Sequence, residues 1–150
     1  MLAHHGFNLM VINMTNVIST EVNGTTYTTV TGVTLNWERL TTAHTNMYGK
    51  FVFSAQLEIP TEAREEFKAA VSNFNMEKGT FTAQRMAFTG QPRIVGVDAG
   101  TRIGNGSTGD VILKHMVSKA GVPFVALEAV RVSNLVDYDA YVNAETALEF

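Results

Sequence analysis

The run Gly104-Asn105-Gly106-Ser107-Thr108-Gly109 does most to limit what this chain can fold into. Its spacing matches G-x-G-x-x-G. In a dinucleotide-binding unit, that pattern opens a helix whose amides meet a pyrophosphate. Here Asp110-Val111-Ile112-Leu113 follows, a β-leaning run, and no acid lies at the ribose distance of a β-α-β unit. A phosphate-binding loop is excluded as well, because Gly-Lys-Ser/Thr does not occur. The glycines therefore read as a turn that supplies positive φ before a strand. Two β segments, Asp110–Val117 and Phe124–Val136, come after it.

The rest of the chain fits that β reading. Residues 8–22 lean to β, and Asn23-Gly24 is a strong hairpin signal. Thr25–Trp37 follows, with Tyr27, Thr29, Thr31, Val33, Leu35 and Trp37 on one face, and Arg39–Gly49 reads as a loop or as the tip of a long hairpin. Lys50–Ile59 alternates, placing Phe51, Phe53, Ala55, Leu57 and Ile59 on one side, with Val52 the exception. Pro60 ends that strand and Thr61 can cap a helix. Ala63, Phe67, Ala70, Val71 and Phe74 then recur at helical spacing, and Glu62, Glu65 and Glu66 sit at the start where they suit the helix dipole. Thr80–Phe88 and Arg93–Val97 are two further strands before the glycine-rich loop 96–109. Seven or eight short strands with one helix over about residues 61–74 predict a mainly β barrel or sandwich. A five-stranded Greek-key barrel with one inserted α-helix fits best.

A chain of 150 residues is one domain long and can bury a core without disulfides or metal. The absence of cysteine excludes a disulfide framework, a thiolate metal site and a cysteine nucleophile. The first residues carry no Lys or Arg, and the apolar run Leu9–Ile12 is too short for a signal peptide or membrane span, so a cytoplasmic protein is expected. His4, His5, His44 and His115 form no ligand spacing, and no cofactor is expected. His115 alternates with Val111 and Leu113 and reads as a satisfied core or interface histidine. No nucleophile elbow occurs, and a non-enzymatic protein is expected.

The net charge of −3 divides unevenly. Residues 1–136 hold all eleven bases and ten of the fourteen acids. Residues 137–150 hold Asp137, Asp139, Glu145 and Glu149 with no base and end on Phe150. A body of residues 1–136 and an acidic tail of 137–150 follow. On the body, cations and flat side chains recur on β segments, the combination that tracks and stacks a single strand. Trp37 and Arg39 lie two apart at a strand end, and Tyr48 and Lys50 lie two apart at the start of the next, so a hairpin would bring all four together. Arg85, Arg93, Arg102, Lys114 and Arg131 complete the candidate nucleic-acid-binding set. The competing reading makes Trp37 a core residue.

The run Ile103-Gly104-Asn105-Gly106-Ser107, the strand Asp110–Val117, Gly121 and the strand Val125–Val136 together resemble the end of the OB-fold domain in single-stranded DNA-binding proteins of short-tailed lytic bacteriophages. Gly49-Lys50-Phe51 through Pro60 is a looser second match. The tail here is shorter and less acidic than that family's, and residues 1–36 carry no signal of it. The resemblance implies an OB-fold-like barrel and a viral protein that coats single-stranded DNA during DNA replication and recombination. It also implies a homodimer, with polymerase or helicase contacted through Asp137, Asp139, Glu145, Glu149 and Phe150 and no membrane partner. Physically, a tail of charge −4 can compete with DNA for a basic groove, and Phe150 offers an anchor. Two other classes stay open. One is a binder that sequesters a small nucleotide, with a pocket between loops 96–109 and 39–49. The other is a virion or assembly protein built on the Thr-rich strand 25–35.

Overall fold

The computed structural model describes residues 16–138. Seven strands and one helix follow in the order β1 (Val17–Val22), β2 (Thr25–Thr45), β3 (Phe51–Glu58), α1 (Arg64–Ala70), β4 (Thr80–Met86), β5 (Arg93–Val95), β6 (Ser107–Val117) and β7 (Pro123–Asn134). They form one mixed sheet ordered β4-β3-β2-β6-β7-β5, with β1 also paired to β2. β2, β3 and β4 are consecutive antiparallel neighbours, and β6 returns by a long connection to lie beside β2. That is Greek-key order. The sheet curls so that β4 comes beside β7, where Arg85 at the end of β4 reaches Leu127 O at 3.4 Å and Glu128 Oε1 at 3.3 Å, and β5 pairs in parallel with β7. The fold is the mainly β, OB-fold-like barrel with one inserted helix that the sequence predicts. The expected strand content of residues 8–15 lies outside the described residues.

β2 holds this barrel together. Its 21 residues pair with β1 and β6 in the first half and with β3 in the second. Asn23 (φ +51°) and Gly24 (φ +82°) form the two-residue turn that feeds it, as the Asn-Gly signal predicts. Thr28 and Val30 face inward, then Val33 and Leu35, then Glu38 and Leu40. The inward set changes parity twice, at the register shifts beside Gly32 (φ +70°) and Trp37 (φ +51°). Each is a bulge, and an extra residue in one strand moves the following side chains to the other face. The single alternating face expected over Tyr27–Trp37 therefore does not form. Trp37 lies on the outside at 64 % exposure, which settles the core alternative against burial.

β3 keeps its expected alternation, with an unbroken register against β4 from Val52 to Glu58, but both of its faces are covered. Ala55, Leu57 and Ile59 are buried in the core, but Val52 and Ser54 are buried from the opposite side, and Phe51 is exposed. Between Arg39 and His44, four residues of β2 stand against Phe53 alone, which throws the hairpin tip over its own outer face. His44 Nε2 then lies 2.8 Å from Ser54 Oγ, and Asn46 Nδ2 donates to Gln84 Oε1 at 3.3 Å. Arg39–Thr45 is thus the end of a long strand rather than a loop.

The helix closes one end of the barrel. A 3-10 turn at Thr61–Ala63 leads into α1, and the helix is shorter than the 61–74 expected. Thr61 makes no side-chain cap. Phe67 and Phe74 are buried edge to face at 4.9 Å, with Phe81 5.5 Å from Phe67. Phe74 reaches the core from the turn after the helix, so its helical spacing reflects chain reversal rather than another helical turn. The core around them joins Val30, Val33, Leu35, Leu57, Val111, Leu113, Leu127 and Val130 from four strands.

The glycine run is the turn and strand start expected. Gly104 N–H donates to Val136 O at 2.9 Å, Gly106 has φ +92°, and β6 starts at Ser107. Gly109 is packed between β2 and β7, and a Cβ there would collide with Arg131 O. Gly109→Ala should therefore cost about 3 kcal/mol or more, whereas Gly121→Ala, in an open turn with φ +82°, should cost about 1 kcal/mol. Urea unfolding of the two variants checks this, and equal midpoints would contradict the close packing.

Candidate functional site

The outer face of β2-β3-β4 is set by the barrel's own alternation. Because Ala55, Leu57 and Ala83 point inward, Ser54, Gln56, Thr82, Gln84 and Met86 point outward. The register lines them in rows: Asn36–Gln56–Thr82, Arg39–Ser54–Gln84 and His44–Val52–Met86. Trp37 and Arg39 stand exposed at the β2 side of this face, opposite the inward Glu38 and Leu40. Adjacent strands lie about 4.8 Å apart, so β2 and β4 are separated by about 10 Å.

At the β4 side the face runs into a cleft of about 430 Å³. Gln84, Met86 and Phe88 from β4 and its end form one wall. Lys114 and Met116 from β6, with Phe124 from β7, form the other. Phe88 is 82 % exposed and Phe124 44 %. The cleft lining includes Arg85 and Lys114 and no acidic side chain. Both hairpin tips converge here: Asn46 of the β2–β3 turn is bonded to Gln84, and the β6–β7 arm supplies Met116 and Phe124. Tyr48, Lys50 and Phe51 are exposed on the first tip, and Lys119 and Val122 on the second. The acids gather elsewhere, with Glu58, Glu62, Glu65, Glu66 and Glu77 exposed around the helix end.

The nine candidate residues do not form one cluster. Trp37 and Arg39 share the outer face, but the hairpin does not bring Tyr48 and Lys50 beside them. Arg39 pairs with Ser54, and Lys50 lies four residues further along the strand, about 13 Å away. Lys114 is in the cleft. Arg85 borders it, but its guanidinium is held by Gly90 O (2.7 Å), Thr89 O (3.0 Å) and Glu128. Arg93 and Arg131 lie on a different surface, beside a second hollow of about 270 Å³ floored by Thr29, Ile112 and Ala129. Arg131 is paired there with Asp110.

Arg102 has a structural partner. Glu38, whose side chain is 1 % exposed, accepts from Arg102 Nε (2.6 Å), Leu40 N (2.8 Å) and Ile103 N (3.2 Å). The hydrogen bond to Glu38 is the main cause of the raised Arg102 pKa. The guanidinium also lies 4.2 Å above the Tyr138 ring. Together with the Ile103–Asp137 bridge and the Val136 N–H donated to Ser107 Oγ at 2.8 Å, this fastens the first residues of the acidic segment to the body. Asp139, Glu145, Glu149 and Phe150 lie outside the described residues.

His115 Nε2 is 2.7 Å from Thr28 Oγ1, so the histidine is half-buried and its ring is hydrogen-bonded. Among the described residues no three His, Asp or Glu side chains group as metal ligands, and no helix is long and apolar enough to cross a membrane. Phe88, Phe124, Met116 and Lys119 were not among the sequence candidates. Their signal was present in part: Phe88 precedes Thr89-Gly90 and Phe124 follows Pro123, so each aromatic sits at a strand end beside a chain breaker. Searches against protein-family models, curated proteins and solved structures find no match to this chain.

Removing the Arg102 guanidinium should leave the buried Glu38 carboxylate with backbone donors alone. Arg102→Met is expected to destabilise the fold by about 2 kcal/mol, the half-exposed arginine tempering the loss. Arg39→Met, on the exposed face, should change stability by less than about 0.5 kcal/mol. Denaturant midpoints compare the two directly.

Proposed function

We propose that this protein binds and coats single-stranded DNA, without enzymatic activity, using the outer face of β3 and β4 and the two hairpin tips beside it. The convergence of both tips on an aromatic cleft lined by cations and no acid carries the reading. OB-type barrels use this face, with the loops joining barrel strands 1–2 and 4–5, to bind oligonucleotides. Here those strands are β2, β3, β4, β6 and β7 in chain order. Phe88 and Phe124 offer stacking surfaces for bases, and Lys50, Lys114 and Lys119 offer charge for phosphates. Trp37 and Arg39 extend the path across the sheet, over the polar floor of Gln56, Thr82 and Gln84. The reading places the protein in a host cytoplasm, in phage DNA replication and recombination, with the acidic segment after Val136 contacting replication partners.

The cleft's size also suits a small ligand, since such sites span about 300–1,000 Å³. A rise in melting temperature with a mononucleotide, and none with an oligonucleotide, would select that reading instead.

Anisotropy of a labelled oligo-dT at two salt concentrations tests the coating role. Binding should weaken steeply with salt. Phe88→Ala and Phe124→Ala should each weaken it by about 5- to 100-fold, the worth of one stacked base. Lys114→Met should lower the salt slope by about 0.7. No binding at low salt would refute the proposal.

A further inference from the structure

We propose that β1 is a self-pairing edge through which two copies of this chain join into one continuous sheet, with Thr20 on the two-fold axis. β1 is paired on one side by β2, and no other described strand pairs with its second side. Five of its six residues are exposed. An edge of this kind is a template for another strand. Proteins that keep such edges unpaired do so with charged side chains, lysine above all, with proline or with a bulge. Val17-Ile18-Ser19-Thr20-Glu21-Val22 has no lysine, proline or bulge and a single charge, Glu21, near its end, and its pairing with β2 is regular from end to end.

The backbone fixes which groups are available. Thr31 N–H donates to Asn16 O at 2.9 Å, and the two-residue turn closes on the pair Val22–Thr25. Hydrogen-bonded pairs alternate in an antiparallel ladder, so residues 16, 18, 20 and 22 direct their N–H and C=O groups at β2. Val17, Ser19 and Glu21 direct theirs outward. A second copy must therefore meet β1 with its own residues 17, 19 and 21.

Three antiparallel two-fold registers satisfy that condition near the strand's middle. Centring on Glu21 sets two carboxylates against each other, which is unfavourable. Centring on Ser19 places Val17 opposite the partner's Glu21 and Ile18 opposite the partner's Thr20. Centring on Thr20 pairs Ser19 with the partner's Glu21 through backbone bonds and sets Thr20 against the partner's Thr20. It also brings Ile18 against the partner's Val22. Ile18 and Val22 are 52 % and 51 % exposed and lie on one face, so this register covers both apolar side chains twice over. Thr–Thr and aliphatic cross-strand pairs are favourable, and side chains approach most closely at non-hydrogen-bonded pairs, which these are. The occupant that matches β1 best is thus β1 itself. Six residues a side make a small interface, so the dimer should be concentration-dependent.

The chain has no cysteine, so a single introduced thiol reports its own neighbour. In the full chain, Thr20→Cys should give a disulfide-linked dimer on mild oxidation. Its Cα would lie about 4.5 Å from its mate, within disulfide range. Glu21→Cys, offset by two residues, and Val117→Cys, exposed on another hairpin, should give no covalent dimer under the same treatment. Thr20→Lys should shift sizing elution toward monomer at about 100 µM, where the parent chain is expected to be dimeric. No cross-link at Thr20→Cys would overturn the proposal. So would a parent that stays monomeric at that concentration, which is the result expected if another segment of the same chain covers this edge. Efficient cross-linking through Glu21→Cys would overturn the register.

Discussion

Gly32 and Trp37, two residues of β2 with positive φ, are the constraint on which the barrel depends. A strand of 21 residues that kept one face inward would run straight and bury one alternating set. By resetting the inward side twice, β2 bends around the core and gives Val30, Leu35 and Leu40 to the same interior from three differently oriented stretches. A bulky residue with φ +51° is unusual. Trp37 is held there by its own N–H, which donates to Asn105 Oδ1 at 2.7 Å. Gly106 N–H in turn meets Leu35 O and Asn36 Oδ1. The glycine turn thus serves as the mould against which the second bend of β2 is set.

This explains what could be read in the chain and what could not. The Asn23-Gly24 turn, the strand after Gly106 and the last hairpin are local features, each decided by a few neighbouring residues, and they lie where the sequence puts them. The faces of β2 and the burial of β3 are not local. Whether Val52 and Ser54 are covered depends on how many residues β2 loops out opposite Phe53, and no pattern within Lys50–Ile59 contains that number. The candidate site divides along the same line. Lysines and arginines could be found as residue types, but their roles depend on distant partners. Arg85 is held by β7, Arg102 by Glu38 and Arg131 by Asp110. Among the described residues Arg39, Lys50 and Lys114 carry no such ion pair and belong to the outer face and the cleft, while Arg93, also without one, lies beside the second hollow.

Glu38 shows how tightly the barrel and the acidic segment are joined. Its carboxylate lies between the exposed Trp37 and Arg39, yet it faces inward and receives two backbone amides along with Arg102. Through Arg102 and Tyr138 the same group orients the chain as it leaves the body after β7. Residues 136–138 are therefore fastened to the body by specific bonds that lead back to the core.

The seam between β4 and β7 has a consequence for how the molecule assembles. β2, β3 and β4 are near in sequence, whereas Thr28 and His115, which meet across β2 and β6, are 87 residues apart. Joining such distant segments carries a loop-closure cost that local hairpins do not, so the docking of β6 on β2 bears the larger entropic cost of closing the barrel. The wall formed by Met116 and Phe124 arrives with that step. A chain with only its first three barrel strands in place has no cleft. Any ligand that occupies the cleft must therefore favour the closed barrel over the open one, and holds the seam shut by mass action in the same event by which it is bound.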